Sequence, residues 1–345
     1  MRVLVTGATG FIGGALVRRL IGSGYRVRAL ARPGADSAAL DNAGAEVMTG
    51  DLLDPESLSA AVNGMEGLFH TGAIYSYWLR DTSLMYRTNV DGTKSLFAAA
   101  RSKGVRRAVF TSTVATLKWP GPGRVADESH QASYSELPGH YKRSKLLAEQ
   151  AVLEFNGPDF EVVVVNPTAP FGPGDARPTP TGRIVLEFLR RSFPGYVSTG
   201  MNVCDVDDVA AGHVGAFEMG RAGERYILGS ENVTLRGIYE LLTKATGIHR
   251  RPVRVPYPLA YAAGLLDSIA ERTLLRRVPY IPLEGLRVAR HPMFVDSGKA
   301  VRELGLPQRP AIESLERAAR WYIDSGYVHT SRLTKRRTGN MEARE

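Results

Sequence analysis

The stretch Thr6-Gly7-Ala8-Thr9-Gly10-Phe11-Ile12-Gly13-Gly14 constrains the chain more than any other. It follows the apolar strand pattern Arg2-Val3-Leu4-Val5 and leads into Ala15-Leu16-Val17-Arg18-Arg19-Leu20-Ile21, which reads as a helix. A strand, a glycine-rich turn and a helix N-terminus in succession make a ready site for a pyrophosphate. Glycine lets the backbone turn sharply, approach the phosphates and pack the helix against the strand. Gly7, Thr9, Gly10, Phe11, Ile12 and Gly13 are the candidate phosphate-binding positions.

Further strand patterns follow at Tyr25–Leu30, Ala45–Thr49, Gly67–Thr71, Ala108–Phe110 and Phe160–Val165, separated by helical stretches. This alternation predicts an α/β fold, a Rossmann-type doubly wound parallel sheet that takes ligands at its carboxyl ends. A site specific for NAD usually places an acidic residue after the second strand, where it binds the ribose hydroxyls. This chain has Ala31 and then Arg32, which can pair with a 2′-phosphate, so the pattern leans toward NADP over NAD. After the third strand, Asp51 with Leu52 is positioned to meet the adenine, whereas Asp54 fits better as the cap of a helix starting at Pro55. After the fourth, Thr71, Gly72 and Ala73 are small enough for a ribose and nicotinamide to lie close. His70 reads as a buried strand histidine. Tyr75, Tyr77 and Trp78 either wall a substrate pocket or pack under a loop, and a helix over 81–103 carrying Asn89 follows.

The fifth strand ends in Thr111-Ser112-Thr113, placing hydroxyls at the crevice. Tyr141 and Lys145 lie one turn apart on the same face of a predicted helix. A free phenol titrates near pH ~10, and an adjacent ammonium lowers that value, so the pair is a proton-transfer device for an alcohol or carbonyl. The sixth strand ends in Asn166-Pro167-Thr168.

From Pro170 onward Pro and Gly cluster and the alternation weakens. We expect residues 1–169 to form the dinucleotide domain, and 170–328 mainly a smaller C-terminal substrate lobe with segments returning to the sheet. A helix is expected over Leu259–Leu275, with an apolar face and Arg276-Arg277 at its end. It reads as core-facing or as peripheral to a membrane. Residues 329–345 form a basic, expectedly disordered tail that carries part of the net charge of +9. The remaining charge suits an anionic cofactor, and no nucleic acid is expected. Cys204 is the only cysteine, which excludes an intramolecular disulfide and a thiolate metal cluster. No metal site is expected. No run approaches the ~20 apolar residues of a bilayer span, and the N-terminus lacks a signal-peptide pattern, so a cytoplasmic location, with surface membrane contact as an option, is the expectation.

Together the glycine loop, Thr113 and the Tyr141/Lys145 pair resemble the extended short-chain dehydrogenases/reductases, whose T-G-x-x-G-x-x-G motif stands here as Thr6 to Gly13. Within them the chain looks similar to hopanoid-associated sugar epimerases and dihydroflavonol-4-reductase-like proteins. The stretches carrying that likeness are Gly139–Gln150, Asn166–Ile184 and Asp205–His213. The resemblance implies that Tyr141 is the general acid/base. It implies that Lys145 lowers the Tyr141 pKa and binds the nicotinamide ribose, and that Thr113 orients the substrate oxygen with Ser112 as rival. It further implies that Asp51 and Leu52 hold adenine, Thr71–Ala73 the middle of the cofactor, and Asn166–Thr168, with Pro167, its nicotinamide end. Gly72 departs from the usual alanine. The implied activity is hydride transfer to or from a small-molecule, sugar-like or lipid substrate. A reductase using NADPH, an epimerase retaining NAD and a non-catalytic NADP sensor are the three readings. A homodimer through the helices over 81–103 and 139–155 is also implied.

Overall fold

Short apolar runs become central strands only when both of their faces are covered, and here helices cover both. The computed structural model describes residues 1–190, 195–249, 252–271 and 282–328. Its strands are β1 (Arg2–Thr6), β2 (Arg26–Ala31), β3 (Glu46–Thr49), β4 (Gly67–His70), β5 (Arg107–Thr111), β6 (Glu161–Pro167), β7 (Ala169–Phe171), β8 (Gly195–Tyr196), β9 (Gly200–Asp205), β10 (Arg225–Leu228), β11 (Glu231–Thr234) and β12 (Val253–Arg254). Seven of them form one all-parallel sheet in the order β3-β2-β1-β4-β5-β6-β10. Side chains alternate across it. Val3 and Val5 face a core shared with the helices Phe11–Gly22 and Val206–Glu218, whereas Leu4 faces one shared with Pro55–Val62 and Thr93–Ser102. The strand order reverses between β1 and β4, which opens a crevice at their carboxyl ends.

The expected helix over 81–103 is instead three pieces: Ser83–Tyr86, a π-type turn Arg87–Gly92, and Thr93–Ser102. Asn89 sits in the widened turn and is buried. Its side chain accepts from the Ile74 N–H at 2.7 Å and donates to the Ile74 carbonyl at 3.0 Å. The Thr93 hydroxyl donates to the Asn89 carbonyl at 2.7 Å. These bonds compete with the helical ladder and account for the bulge. Asp54, as expected, caps the helix Pro55–Val62 through the Glu56 N–H.

Beyond β6 a small sheet in the order β11-β9-β7 and the pair β8–β12 carry a second core. The helices Pro180–Arg190, Leu235–Thr246 and Ala311–Asp324 complete it. Two segments return: β10 extends the main sheet at its edge, and Val206–Glu218 packs against Phe11–Gly22. Buried Asp205 accepts two bonds of 2.6 Å from Arg317, and Tyr322 donates to buried Asp175 at 2.9 Å, tying the last long helix to the rest. The basic tail 329–345 and the end of the expected helix 259–275, with Arg276 and Arg277, lie outside the described residues. The described helix runs Tyr257–Ala270.

Candidate active site

At the end of β1, Gly7 takes φ +69°. A Cβ on Gly7 would stand 2.6 Å from the Gly72 nitrogen, and one on Gly13 would stand 2.1 Å from the Gly7 carbonyl oxygen. Glycine here closes helix, loop and the end of β4 onto one another. On the outer side the situation reverses. A Cβ on Gly10 would meet nothing closer than the Gly7 carbonyl oxygen at 3.1 Å, and Thr9 and Gly10 are exposed. Gly10 begins the helix without a side-chain cap, and no acidic residue occupies the first turn. The half-buried Phe11 and Ile12 anchor that turn on the core. This cradle fits a dinucleotide pyrophosphate.

The remaining cofactor candidates ring the same crevice. Arg32 follows β2, is exposed, and has no ion pair among the described residues. The Asp51 carboxylate spends one oxygen on the Leu53 N–H at 2.9 Å and is otherwise half-exposed. Leu52 packs on Gly72 and Gly92. Thr71 donates to the Thr6 carbonyl at 2.7 Å, and Ala73 is exposed beside it. At Gly72 an alanine methyl would stand 3.3 Å from both the Gly7 nitrogen and the Thr6 hydroxyl, a tight contact that needs those neighbours to give slightly. Pro167 ends β6, and Thr168 faces the substrate cavity.

His70 is buried and neutral, as expected. Its Nε2–H donates to Thr93 at 2.8 Å, because the Thr93 hydroxyl already donates elsewhere, and its Nδ1 accepts from Thr6 at 2.6 Å. Burial drives its pKa down to about 3.

Tyr141 and Lys145 occupy the helix His140–Leu153. Gly139 precedes it at φ +87°, and Glu284, from a short helix Leu283–Val288, accepts from the His140 N–H at 3.3 Å. The Tyr141 hydroxyl is hydrogen-bonded with Thr113, which lowers the phenol pKa, but burial outweighs this and pushes it well up. The Tyr75 ring lies against Tyr141 with centroids 4.6 Å apart. Lys145 is 3% exposed. Its ammonium donates to the Thr111 carbonyl at 2.6 Å and sits 4.2 Å over the Phe110 ring. Burial lowers its pKa to about 7, against the pull of Glu149. The expectation that Lys145 depresses the Tyr141 pKa is not met in this arrangement, because desolvation dominates both groups and the ammonium is spent on the end of β5.

Two candidates turn away from the crevice. Ser112 donates to Glu149, which is 2% exposed. Asn166 donates to Glu149 at 3.2 Å and to the Thr113 carbonyl at 3.1 Å. Glu149 also accepts from Arg225 at 2.5 Å. This network supports the Thr113 turn from beneath, so Ser112 is not the residue facing substrate. Trp78 is also displaced: it lines a separate cavity of about 550 Å³ with His140, Met85 and Glu284.

The larger cavity, about 1030 Å³, contains Thr113, Tyr141, Tyr75 and Thr168. Its other walls include Tyr77, Trp119 stacked on His291 with centroids 3.9 Å apart, Tyr257, Tyr261 and Met293. Sequence reasoning noted Tyr77 only within a cluster and missed the rest, since those walls come from four distant segments. Asn89 is the other omission. Besides holding Ile74, it donates to Ser144 at 3.1 Å and so joins the β4 loop to the Tyr141 helix. Its burial within a polar-flanked helix leaves no pattern in the sequence.

Among the described residues no cluster could hold a metal ion, and no helix is long and apolar enough to cross a membrane. Residues 3–229 match the family described as NAD dependent epimerase/dehydratase. A Synechocystis sp. protein, provisionally named a dihydroflavonol 4-reductase, is 44% identical over 94% of this chain and 96% of its own length. Sterol demethylase protein B of Methylococcus capsulatus is 34% identical over 95% and 100%. The crystal structure of gox2253 superposes with a TM-score of 0.84 at 38% identity, covering 95% of this chain and 99% of that one. The parallel sheet, the glycine cradle and these matches agree: the chain belongs to the NAD-dependent epimerase/dehydratase family of extended short-chain dehydrogenases/reductases, enzymes that work with a nicotinamide dinucleotide.

Proposed function

We propose that the protein is an NADPH-dependent reductase of a carbonyl on an apolar, lipid-like substrate, hopanoid-linked or sugar-like chemistry included. The observation that carries this reading is the cavity of about 1030 Å³, walled largely by aromatic and aliphatic side chains, into which Tyr141 and Thr113 project. A nucleotide-sugar pocket would call for more polar groups to satisfy hydroxyls and phosphates. Arg32, in place of an acid after β2, supports NADPH.

Bound across the crevice, the cofactor supplies hydride to the carbonyl carbon. Gly7, Thr9, Gly10, Phe11, Ile12 and Gly13 would hold its pyrophosphate, Arg32 its 2′-phosphate, and Asp51 and Leu52 its adenine. Thr71, Gly72, Ala73, Lys145, Pro167 and Thr168 would hold the nicotinamide half. Tyr141 donates the proton that balances the hydride, turning C=O into CH–OH. Its raised pKa keeps it protonated for that role at neutral pH. Thr113 holds the substrate oxygen beside it, and the buried Glu149 network keeps Thr113 in place. The aromatic walls exclude water from the transfer.

The helix Tyr257–Ala270 supports a lipid reading. Tyr257, Pro258 and Tyr261 line the cavity, while Leu259, Leu265, Leu266 and Ile269 are exposed on the outside, Leu266 at 69%. Such a helix suits peripheral contact of an otherwise cytoplasmic enzyme with a membrane. Homodimerisation through the helices over 81–103 and 139–155 belongs to the same reading.

The test is Tyr141→Phe together with titration of both nucleotides. NADPH affinity should stay near wild type and turnover should fall by at least about a hundredfold. Undiminished turnover refutes the acid/base assignment. Tightly retained NAD in the purified protein would instead mark an epimerase, and binding without any turnover a sensor.

A further inference from the structure

Lys142 is unused by the mechanism above. It is 9% exposed, lines the same cavity as Tyr141 and Thr113, and makes no hydrogen bond or ion pair among the described residues. Burial lowers its pKa to about 8, against the pull of Glu284. That carboxylate accepts from the His140 N–H at 3.3 Å at the start of the helix and forms no ion pair with Lys142, and its second oxygen is buried without a hydrogen-bond partner. A buried ammonium without a bonded partner is costly, and retaining one in a mostly apolar wall calls for an anion that arrives with the ligand.

The rest of the charged lining points the same way. Lys118 is paired at 2.5 Å with Glu136, the one acidic side chain among the described residues that line the cavity. Arg287 and Arg290 add two exposed guanidinium groups without ion pairs among the described residues. The cavity is therefore apolar in its body and cationic where charge remains.

We propose that Lys142 is a specificity residue for an anionic amphiphile, an apolar molecule bearing a carboxylate close to the carbonyl that Tyr141 serves. Adjacent positions on one helix, Tyr141 and Lys142, then read two neighbouring groups of one substrate: the reacting oxygen and the fixed negative charge. This rests on the reductase reading for the location of the reacting carbon, but binding tests it without turnover.

The probes are decanoate and decan-1-ol, which share the apolar chain and differ in the anion. Calorimetric titration of the NADP⁺-saturated protein is expected to show decanoate binding about ten- to a hundredfold more tightly than decan-1-ol, the value of one hydrogen bond to a charged group. Lys142→Met should abolish that preference by weakening decanoate alone, and Lys142→Arg should retain most of it. Equal binding of the two probes by the wild type, binding of neither, or a preference that survives Lys142→Met overturns the proposal. NADPH titration of Lys142→Met separates the two readings. Unchanged affinity keeps Lys142 in the substrate site, and a loss matching that of decanoate assigns it to the cofactor and also overturns the proposal.

Discussion

Replacing Gly13 by alanine puts a methyl group 2.1 Å from the Gly7 carbonyl oxygen, 2.7 Å from the Gly7 carbonyl carbon and 2.8 Å from the Thr71 hydroxyl. The nearest of these is more than an ångström short of ordinary contact, and two of the three are backbone atoms that cannot rotate away. The helix Phe11–Gly22 must therefore lift off β1, carrying Ala15, Leu16 and Val17 out of their packing. Overpacking of this kind costs about 3 kcal/mol, and a helical alanine returns about 1, leaving a net loss near 2 kcal/mol. In a protein of this size that is a drop of roughly 3 °C in Tm. Gly10→Ala is the contrasting case. Its methyl meets only the Gly7 oxygen at 3.1 Å, and its backbone, at φ −87°, suits any residue. It should keep Tm within about 1 °C yet weaken NADPH about tenfold or more, because the methyl occupies the face a phosphate must approach. Thermal melts followed by circular dichroism and NADPH titration by fluorescence read the two quantities separately. A Gly13→Ala protein with wild-type Tm would refute the packing argument, and a Gly10→Ala protein with wild-type affinity would remove the phosphate from this loop.

Two further outcomes follow from charge. Arg32→Ala should weaken NADPH about tenfold, the loss of one charge-assisted hydrogen bond at an exposed site, and leave NADH within about twofold; equal losses for both would show that Arg32 does not read the 2′-phosphate. His70 and His213 are neutral in the fold, with pKa values lowered by burial to about 3 and about 4. The unfolded chain takes up protons below pH ~6.5 that the folded one refuses, so this stability is full above that pH and is lost as pH falls toward 4. From pH 6.5 to 5 the loss is about 1.6 kcal/mol for each histidine. Urea unfolding at the two pH values should show it, with His70→Gln removing about half, and a flat profile would contradict the neutral assignment.

The candidate cofactor half of the site is legible in the sequence because its elements are contiguous. A strand, a glycine turn and a helix start within fourteen residues, and each glycine has a local steric reason visible at Gly7 and Gly13. Strand ends at Thr71, Thr113 and Thr168 follow from topology, since a parallel sheet brings every carboxyl end to one edge. The substrate half is assembled otherwise. Tyr77, Trp119, Tyr257, Tyr261 and His291 share a wall only after the lobe folds over the sheet, and no spacing relates them. Position alone left two adjacent hydroxyls open, Thr113 first and Ser112 as its rival. Consecutive residues at a strand end point to opposite sides, so Thr113 reaches the cavity while Ser112 is drawn inward to Glu149.

Electrostatics was the least readable layer, and Tyr141/Lys145 shows why. Spacing of four places both side chains on one helix face, and from that alone the ammonium should depress the phenol. The sign of each shift is set by desolvation, which depends on Phe110, Tyr75 and the end of β5 closing over the pair. Burial raises the phenol and lowers the ammonium, so each group is driven toward its neutral form. A neutral tyrosine is a competent proton donor to a developing alkoxide but a poor base toward an alcohol. Under the proposed reductive reading, protonated Tyr141 serves as the proton donor at one end of the crevice, and Arg32 at the other offers a partner for a 2′-phosphate.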